Sequence, residues 1–211
     1  MDLTAALATH RLVAIVRGRD PDAALRTVLA LAEEGVELIE VSLAAPDALC
    51  VIERARSTLG PDRPLGAGTV LTAEDARAAH SAGADFAVTP GLGDGVRAAR
   101  ELGMPVLAGV LTPTEIIAAQ AMGVVAALKV FPVAEAGGAA YVKALRGPFP
   151  DAAFVPVGGV DEDVARACLA AGAIAVGVGS PLVGDAADGG SITALRERAR
   201  AFRKVVEEAT R

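Results

Sequence analysis

The chain has 211 residues, a formal net charge of −6 and a hydrophobic content of 53% with few aromatic side chains. This length suits a single domain, 1–211, with a large core. The acidic balance argues against a nucleic-acid binder, which would carry a basic face, and no apolar run reaches the ~18 residues of a membrane span. Residues 1–10 lack the charged and apolar regions of a signal peptide, so a cytoplasmic protein is expected.

Apolar strands alternate with alanine-rich helices along the whole chain. Strands are predicted near residues 12–17, 36–43, 64–70, 84–89, 105–110, 124–130, 153–158 and 174–179. Helix N-caps are predicted at Asp20, Thr72, Thr112 and Asp161, and the glycines expected to close helices are Gly35, Gly83, Gly103, Gly123 and Gly172. Eight such units predict a closed (β/α)8 TIM barrel with a short N-terminal helix rather than an open doubly wound sheet.

The cysteines and histidines indicate no metal site. Cys50 and Cys168 fall in predicted helices without CxxC spacing, so they are expected to be free core thiols in a reducing compartment. His10 and His80 are the only histidines, and neither stands beside a second ligand pattern. A zinc enzyme with histidine ligands is therefore not expected.

Lys129 is the most informative residue of the chain. It interrupts the apolar run 124–131, which ends at a proline and is predicted to be a buried strand. Burying an ammonium group is expensive and favours the neutral amine, which is a nucleophile towards ketones in Schiff-base enzymes. The alternative is a lysine at a strand end whose amine reaches solvent.

Glu40 is the second unusual residue, because it interrupts the apolar strand 38–41. A carboxylate there is costly unless it is paired or protonated. One interpretation is a buried ion pair with Lys129 or Arg17. The other is a general acid/base beside a Schiff-base lysine, where imine formation requires proton transfers. The two interpretations are compatible.

Polar residues stand at the carboxyl ends of several other predicted strands, which is where a TIM barrel places its site. Side chains alternate along a strand, so Arg17, Glu40, Thr69 and Lys129 converge at the barrel mouth if their faces point inward. Arg17 could bind a carboxylate or phosphate, or hold Glu40. Thr69 and the pair Thr89-Pro90 could orient a small carboxylate, although both also fit ordinary turns.

Glycine pairs end the last two strands and indicate an anion site. Gly158 and Gly159 follow strand 7, and Gly179-Ser180 follows strand 8. Glycines let backbone N–H groups approach a phosphate, a following helix N-terminus favours its charge, and the Ser180 hydroxyl adds a donor. Gly-Gly alone also suits a tight turn.

Six segments of the sequence together resemble a known family. They are Ala14-Ile15-Val16-Arg17, Ile39-Glu40-Val41-Ser42-Leu43, Gly66-Ala67-Gly68-Thr69-Val70-Leu71, Val88-Thr89-Pro90-Gly91, Leu128-Lys129-Val130-Phe131-Pro132 and Pro156-Val157-Gly158-Gly159-Val160. In order and spacing the chain resembles the bacterial 2-keto-3-deoxy-6-phosphogluconate (KDPG) aldolases and the related 4-hydroxy-2-oxoglutarate (KHG) and 6-phosphogalactonate aldolases.

The resemblance implies a metal-independent class I aldolase of a phosphorylated keto acid. It implies a (β/α)8 barrel, commonly a homotrimer, that needs no cofactor because the substrate forms an imine with the enzyme. The positions that match family residues are the Schiff-base lysine Lys129, the general acid/base Glu40, Thr69 near the pyruvate moiety, Pro90 and Phe131 lining its pocket, and Gly158, Gly159 and Ser180 at the phosphate.

Two positions depart from the common family pattern and are the candidate specificity positions. Ala44 stands where many KDPG aldolases have an arginine, so Arg17 or backbone N–H groups would have to hold the substrate carboxylate. Val157 stands where many have a threonine, and it resembles the phosphogalactonate branch, as does the segment 15–18. The sequence therefore leaves the epimer of the substrate open.

The sequence leaves three other functions to compare with a KDPG-type aldolase. One is an aldolase for 4-hydroxy-2-oxoglutarate or another 2-oxo acid without a phosphate requirement. Another is a non-catalytic sugar-phosphate-binding barrel, suggested by Ala44. The third is a phosphate-binding barrel isomerase, which would need no amine at Lys129.

Overall fold

The computed structural model of the protein describes residues 1–123 and 125–209. The strands of these residues, numbered β1 to β8, span Leu12–Val16, Leu38–Ser42, Leu65–Gly68, Phe86–Val88, Val106–Val110, Val125–Val130, Phe154–Pro156 and Val176–Val178. The helices, numbered α1 to α10, span Leu3–His10, Pro21–Glu33, Ala48–Leu59, Ala73–Ser81, Asp94–Glu101, Pro113–Ala121, Gly138–Arg146, Glu162–Ala170, Ser180–Val183 and Ile192–Glu208. A 3-10 turn, Ala186–Asp188, precedes α10.

The strands form one parallel sheet that closes into a barrel. Its order is β7-β6-β5-β4-β3-β2-β1-β8, so β1 pairs with both β2 and β8. The two end strands meet at a parallel bridge between Val157 and Gly177, and the N–H of Ile174 donates to the carbonyl of Phe154 at 3.0 Å. The predicted TIM barrel with its short N-terminal helix is confirmed. The strand predicted at 124–130 begins at Val125, and residue 124 lies outside the described residues.

Helix boundaries follow the capping residues that the sequence contains. The side chains of Asp20, Thr72, Thr112 and Asp161 each accept a hydrogen bond from an N–H of the first helical turn. Thr72 and Thr112 form full capping boxes with Asp75 and Glu115. These local signals set where each helix begins, and thereby where each preceding loop ends at the barrel mouth.

Two apolar layers hold the barrel, one outside the sheet and one inside. The outer layer packs the helices against the strands, and the inner layer fills the barrel with side chains such as Leu38, Phe86 and Leu107. Helix α1 closes the amino-terminal end, where Leu3 and Leu7 are buried against this inner layer. The opposite end, where the strands finish, is left to form a cavity.

The prediction of two core thiols is half right. Cys168 is buried in α8, and its burial raises the thiol pKa to about 11. Cys50, in contrast, is exposed, because α3 buries the face that carries Ala48, Val51 and Ile52. Both thiols are free.

None of the helices within the described ranges combines the length and the apolar character needed to cross a membrane.

Candidate active site

A cavity of about 560 Å³ opens at the carboxyl ends of the strands. Its lining includes Arg17, Glu40, Thr69, Pro90, Lys129, Phe131, Gly158, Gly159 and Ser180, all predicted to bind or react, together with the specificity position Val157. The predicted convergence at the barrel mouth is therefore observed. Two candidates do not line the cavity: Ala44, which is exposed in the segment between β2 and α3, and Thr89, which is buried.

Lys129 is held on the inner face of β6. Its backbone pairs with Gly109 of β5 and Val155 of β7, and the residue is only 7% exposed. The amine Nζ lies 5.3 Å from the centroid of the Phe131 ring, which is itself 42% exposed. The amine thus reaches the cavity through an apolar surround and is not a lysine that extends into solvent.

Glu40 is held on β2 and is almost completely buried, at 2% exposure. Gly68, on the neighbouring strand β3, gives the carboxyl group its space. A Cβ atom at Gly68 would lie 2.6 Å from Glu40 Oε1. A glycine at this position is therefore required if the carboxyl group is to lie where it does, and sequence reasoning had not assigned Gly68 that part.

The carboxyl group of Glu40 is not neutralised by a tight ion pair. Among the described residues, none donates a hydrogen bond to Oε2, and neither Lys129 nor Arg17 forms an ion pair with Glu40 within 4.0 Å. Burial raises the pKa of Glu40, and the nearby charges of Lys129 and Arg17 offset only part of that effect. A carboxyl group with a raised pKa, beside an amine and open to a cavity, is suited to give and take protons.

Arg17, Ser42 and Thr69 form a polar cluster at the mouth, next to Glu40 in the barrel wall. Arg17 Nε donates to Ser42 Oγ at 3.3 Å, and Ser42 Oγ lies 2.9 Å from Thr69 Oγ1. Ser42 is fully buried. Sequence reasoning did not select Ser42, although it lies two residues after Glu40 and therefore on the same face of β2.

The pair Thr89-Pro90 is divided by the structure. Pro90 lines the cavity. Thr89 is buried, and its hydroxyl oxygen accepts a hydrogen bond from the N–H of Gly109 at 3.2 Å. Thr89 does not line the cavity, and its hydroxyl links β4 to β5.

The glycine-rich side of the cavity presents backbone donors. Gly158 and Gly159 have φ values of 96° and 67°, conformations that an L side chain rarely adopts. No described residue accepts a hydrogen bond from the N–H of Gly158, Gly159 or Ser180. These N–H groups are thus available to an anion at the N-terminal end of the turn that Ser180 begins.

Metal ligands are not gathered in the part of the chain that the structure describes, where no cluster of three or more His, Cys, Asp or Glu side chains is suited to hold an ion.

A TIM barrel with a buried amine beside a protonatable carboxyl group at its mouth is typical of enzymes that form an imine with a carbonyl substrate. The family model described as KDPG and KHG aldolase matches residues 3–195. The chain therefore belongs to the KDPG and KHG aldolase family, as the sequence motifs predict, and is an aldolase.

Relatives and solved structures agree with this membership. The 2-dehydro-3-deoxy-6-phosphogalactonate aldolase of Escherichia coli (strain K12) is 36% identical over 200 residues, which are 94% of this chain and 95% of the relative. A structure of native KDPGal is 35% identical, covers 94% of this chain and 95% of that one, and has a TM-score of 0.87. The KDPG aldolase from Legionella pneumophila, with pyruvate captured as a covalent carbinolamine, is 29% identical over 98% of this chain and 97% of that one, with a TM-score of 0.82.

Proposed function

We propose that this chain reversibly cleaves a 2-keto-3-deoxy-6-phospho-sugar acid to pyruvate and glyceraldehyde 3-phosphate. The observation that carries the proposal is the pair of buried groups, Lys129 and Glu40, that line one cavity at the barrel mouth. The covalent pyruvate carbinolamine of the Legionella pneumophila enzyme supports the same chemistry. Membership of an aldolase family favours this reaction over a binding barrel or an isomerase.

Lys129 begins the reaction as the nucleophile. Its neutral amine attacks the C2 ketone and forms a carbinolamine. Glu40 then supplies the proton with which the C2 hydroxyl leaves as water, giving a protonated imine between Lys129 and the substrate. Because Glu40 has a raised pKa, its carboxyl group can donate a proton here and accept one in the next step.

Carbon–carbon cleavage follows from the imine. Glu40, as carboxylate, takes the C4 hydroxyl proton directly or through a water, and the C3–C4 bond breaks. The electron pair of that bond moves into the iminium, which becomes an enamine, and glyceraldehyde 3-phosphate leaves. Protonation of the enamine at C3 and hydrolysis of the imine release pyruvate and restore the Lys129 amine.

The two ends of the substrate are anions, and the cavity has donors on two sides. Gly158, Gly159 and Ser180 bind the phosphate through N–H and hydroxyl donors. Arg17 and Thr69 bind the carboxylate, with Pro90 and Phe131 packing against the pyruvate carbons. A comparison of phosphorylated with unphosphorylated substrates tests the phosphate assignment, since a phosphate-independent aldolase would process both alike.

Borohydride trapping tests the central step. Treating the protein with pyruvate and borohydride should add the mass of one reduced pyruvyl group, and peptide mapping should place it on Lys129. The assignment is simple because the chain has only three lysines, Lys129, Lys143 and Lys204. Wild-type protein that gains no adduct would exclude the Schiff-base mechanism.

Val157 directs the choice of epimer towards the galactonate-derived substrate. Val157 is buried at the cavity, and threonine has nearly the same shape with one hydroxyl in place of a methyl group. We expect Val157→Thr to favour the gluconate-derived substrate: its kcat/KM, divided by the kcat/KM for the galactonate-derived substrate, should rise about tenfold. The reason is that the threonine hydroxyl can form a hydrogen bond with a substrate hydroxyl of one configuration. Val157→Ala separates this effect from size, and an unchanged ratio in Val157→Thr would refute the assignment.

The assembly is a cytoplasmic homotrimer. Large apolar side chains such as Leu71 and Ile117 are 55% and 59% exposed on the single chain, which supports a surface that other copies cover. Light scattering should give three times the mass of the chain, and a monomeric mass would contradict the trimer.

Cell fractionation should recover the protein with cytoplasmic markers, and its recovery from another fraction would contradict that location.

A further inference from the structure

We propose that Ser42 is a positioning residue that orients the Thr69 hydroxyl towards the substrate carboxylate. In this arrangement a directed chain of hydrogen bonds runs from Arg17 to Ser42, from Ser42 to Thr69, and from Thr69 to the ligand. The role rests on the proposed aldolase function. It adds a residue that acts through its neighbours and does not itself touch the substrate.

The place of Ser42 in the fold supports this role. It is the last residue of β2, where its backbone pairs with Gly68 of β3, and it is fully buried. Its hydroxyl lies between Arg17 Nε, at 3.3 Å, and Thr69 Oγ1, at 2.9 Å. Arg17 and Thr69 both line the cavity, whereas Ser42 does not.

The direction of each hydrogen bond in this series follows from counting protons. The Arg17 guanidinium only donates, so Ser42 Oγ is the acceptor in that bond. A hydroxyl has one proton of its own, and a buried hydroxyl is costly if that proton has no acceptor. Among the described residues, Thr69 Oγ1 is the acceptor within reach of Ser42, so Ser42 donates to Thr69. The Thr69 proton is then left free to point into the cavity.

The backbone of Thr69 is unusual. Its φ of 59° is rare for a β-branched residue, so contacts from neighbouring residues have to hold it there. The hydrogen bond between Ser42 and Thr69 is one such contact, and it leaves the Thr69 proton free for a ligand. Ser42 also accepts from Nε of Arg17, which leaves the other guanidinium donors for a ligand. None of the described carboxylates lies within ion-pair distance of those donors.

The chain of hydrogen bonds accounts for how a carboxylate is held without an arginine in the loop after β2. Ala44 is exposed in that loop and contributes nothing to the cavity. A threonine hydroxyl whose oxygen accepts from a hydrogen-bonded serine is a better donor than an isolated one, because hydrogen bonds in series polarise one another. Pyruvate, the half of the substrate that carries the carboxylate, is the ligand that should respond.

The experiment measures the pyruvate concentration that gives half-maximal borohydride trapping on Lys129. We expect Ser42→Ala to raise it about tenfold, as for the loss of one hydrogen bond in a polar cluster, with a smaller change in the trapping rate at saturating pyruvate. Ser42→Thr, which keeps the hydroxyl, should stay near wild type. Ser57→Ala, on the exposed face of α3, is the matched control and should change nothing.

A double-mutant cycle with Thr69→Val separates positioning from a general loss of packing. If Ser42 acts through Thr69, Ser42→Ala should add little to the effect of Thr69→Val. Independent, additive losses would overturn the proposal. So would a Ser42→Ala protein that traps pyruvate as wild type does, or a Ser42→Thr protein as weak as Ser42→Ala. A wild-type protein that traps no pyruvate would instead refute the aldolase mechanism itself.

Discussion

Lys129→Met should abolish turnover, with a fall in kcat of at least ~10⁴-fold, because no other described residue that lines the cavity carries an amine for the imine. Methionine has nearly the length of lysine and suits the apolar surround of β6, so the fold should persist. The midpoint of thermal unfolding should stay at or above that of wild type, since the substitution removes a group that is costly to bury. The measurement is the rate of pyruvate release together with borohydride trapping.

Lys143→Met is the matched control, because Lys143 lies exposed on α7. It should retain wild-type turnover and a trapped adduct on Lys129. The barrel isomerase makes the opposite prediction for Lys129→Met, since it requires no amine, whereas a non-catalytic binding barrel predicts no turnover in either protein. Turnover that survives in Lys129→Met would therefore transfer support to a mechanism without a Schiff base.

The barrel and the main site residues were predictable because each rests on a local signal. Alternating apolar strands and capped helices specify the closed sheet, and charges that interrupt apolar strands mark Lys129 and Glu40. A charged residue in a buried strand needs a functional or pairing explanation, and the common end of parallel strands supplies the meeting point.

Other features depend on contacts between distant segments and were out of reach. The space that Gly68 leaves for Glu40 and the bridge through Ser42 arise only when β2 and β3 are in register. The hydroxyl of Thr89 is used by Gly109, twenty residues later in sequence, which no local pattern indicates. Cys50 was misjudged because it lies beside the buried face of α3 and not on it.

Glu40→Gln should lower kcat by about 10²- to 10⁴-fold, the range that a positioned general acid/base contributes. Glutamine keeps the shape of the side chain in the space beside Gly68 but can neither release nor accept the required proton. The wild-type pH–rate profile should show an acidic limb above the usual range of a carboxyl group, because burial raises the pKa of Glu40. That limb should disappear in Glu40→Gln. A variant that keeps both the wild-type rate and the acidic limb would remove Glu40 from the mechanism.

The same raised pKa predicts the pH dependence of stability, with a definite sign. The folded protein holds the Glu40 proton more tightly than the unfolded chain, so this group stabilises the fold fully below the ordinary carboxyl pKa of 4.5. That contribution is lost as pH rises through the raised pKa, when a carboxylate has to be buried without a hydrogen bond to Oε2. Glu40→Gln does not titrate and escapes the loss.

The free energy of unfolding of Glu40→Gln should therefore rise relative to wild type as the pH increases above the ordinary carboxyl pKa of 4.5. Denaturant unfolding at a series of pH values measures the difference. Glu53→Gln, on the exposed face of α3, is the control and should track wild type throughout. If the wild type instead gained stability relative to Glu40→Gln as pH rises, Glu40 would be a carboxylate stabilised by Lys129 and Arg17. In that case it would be unsuited to donate the proton that imine formation needs.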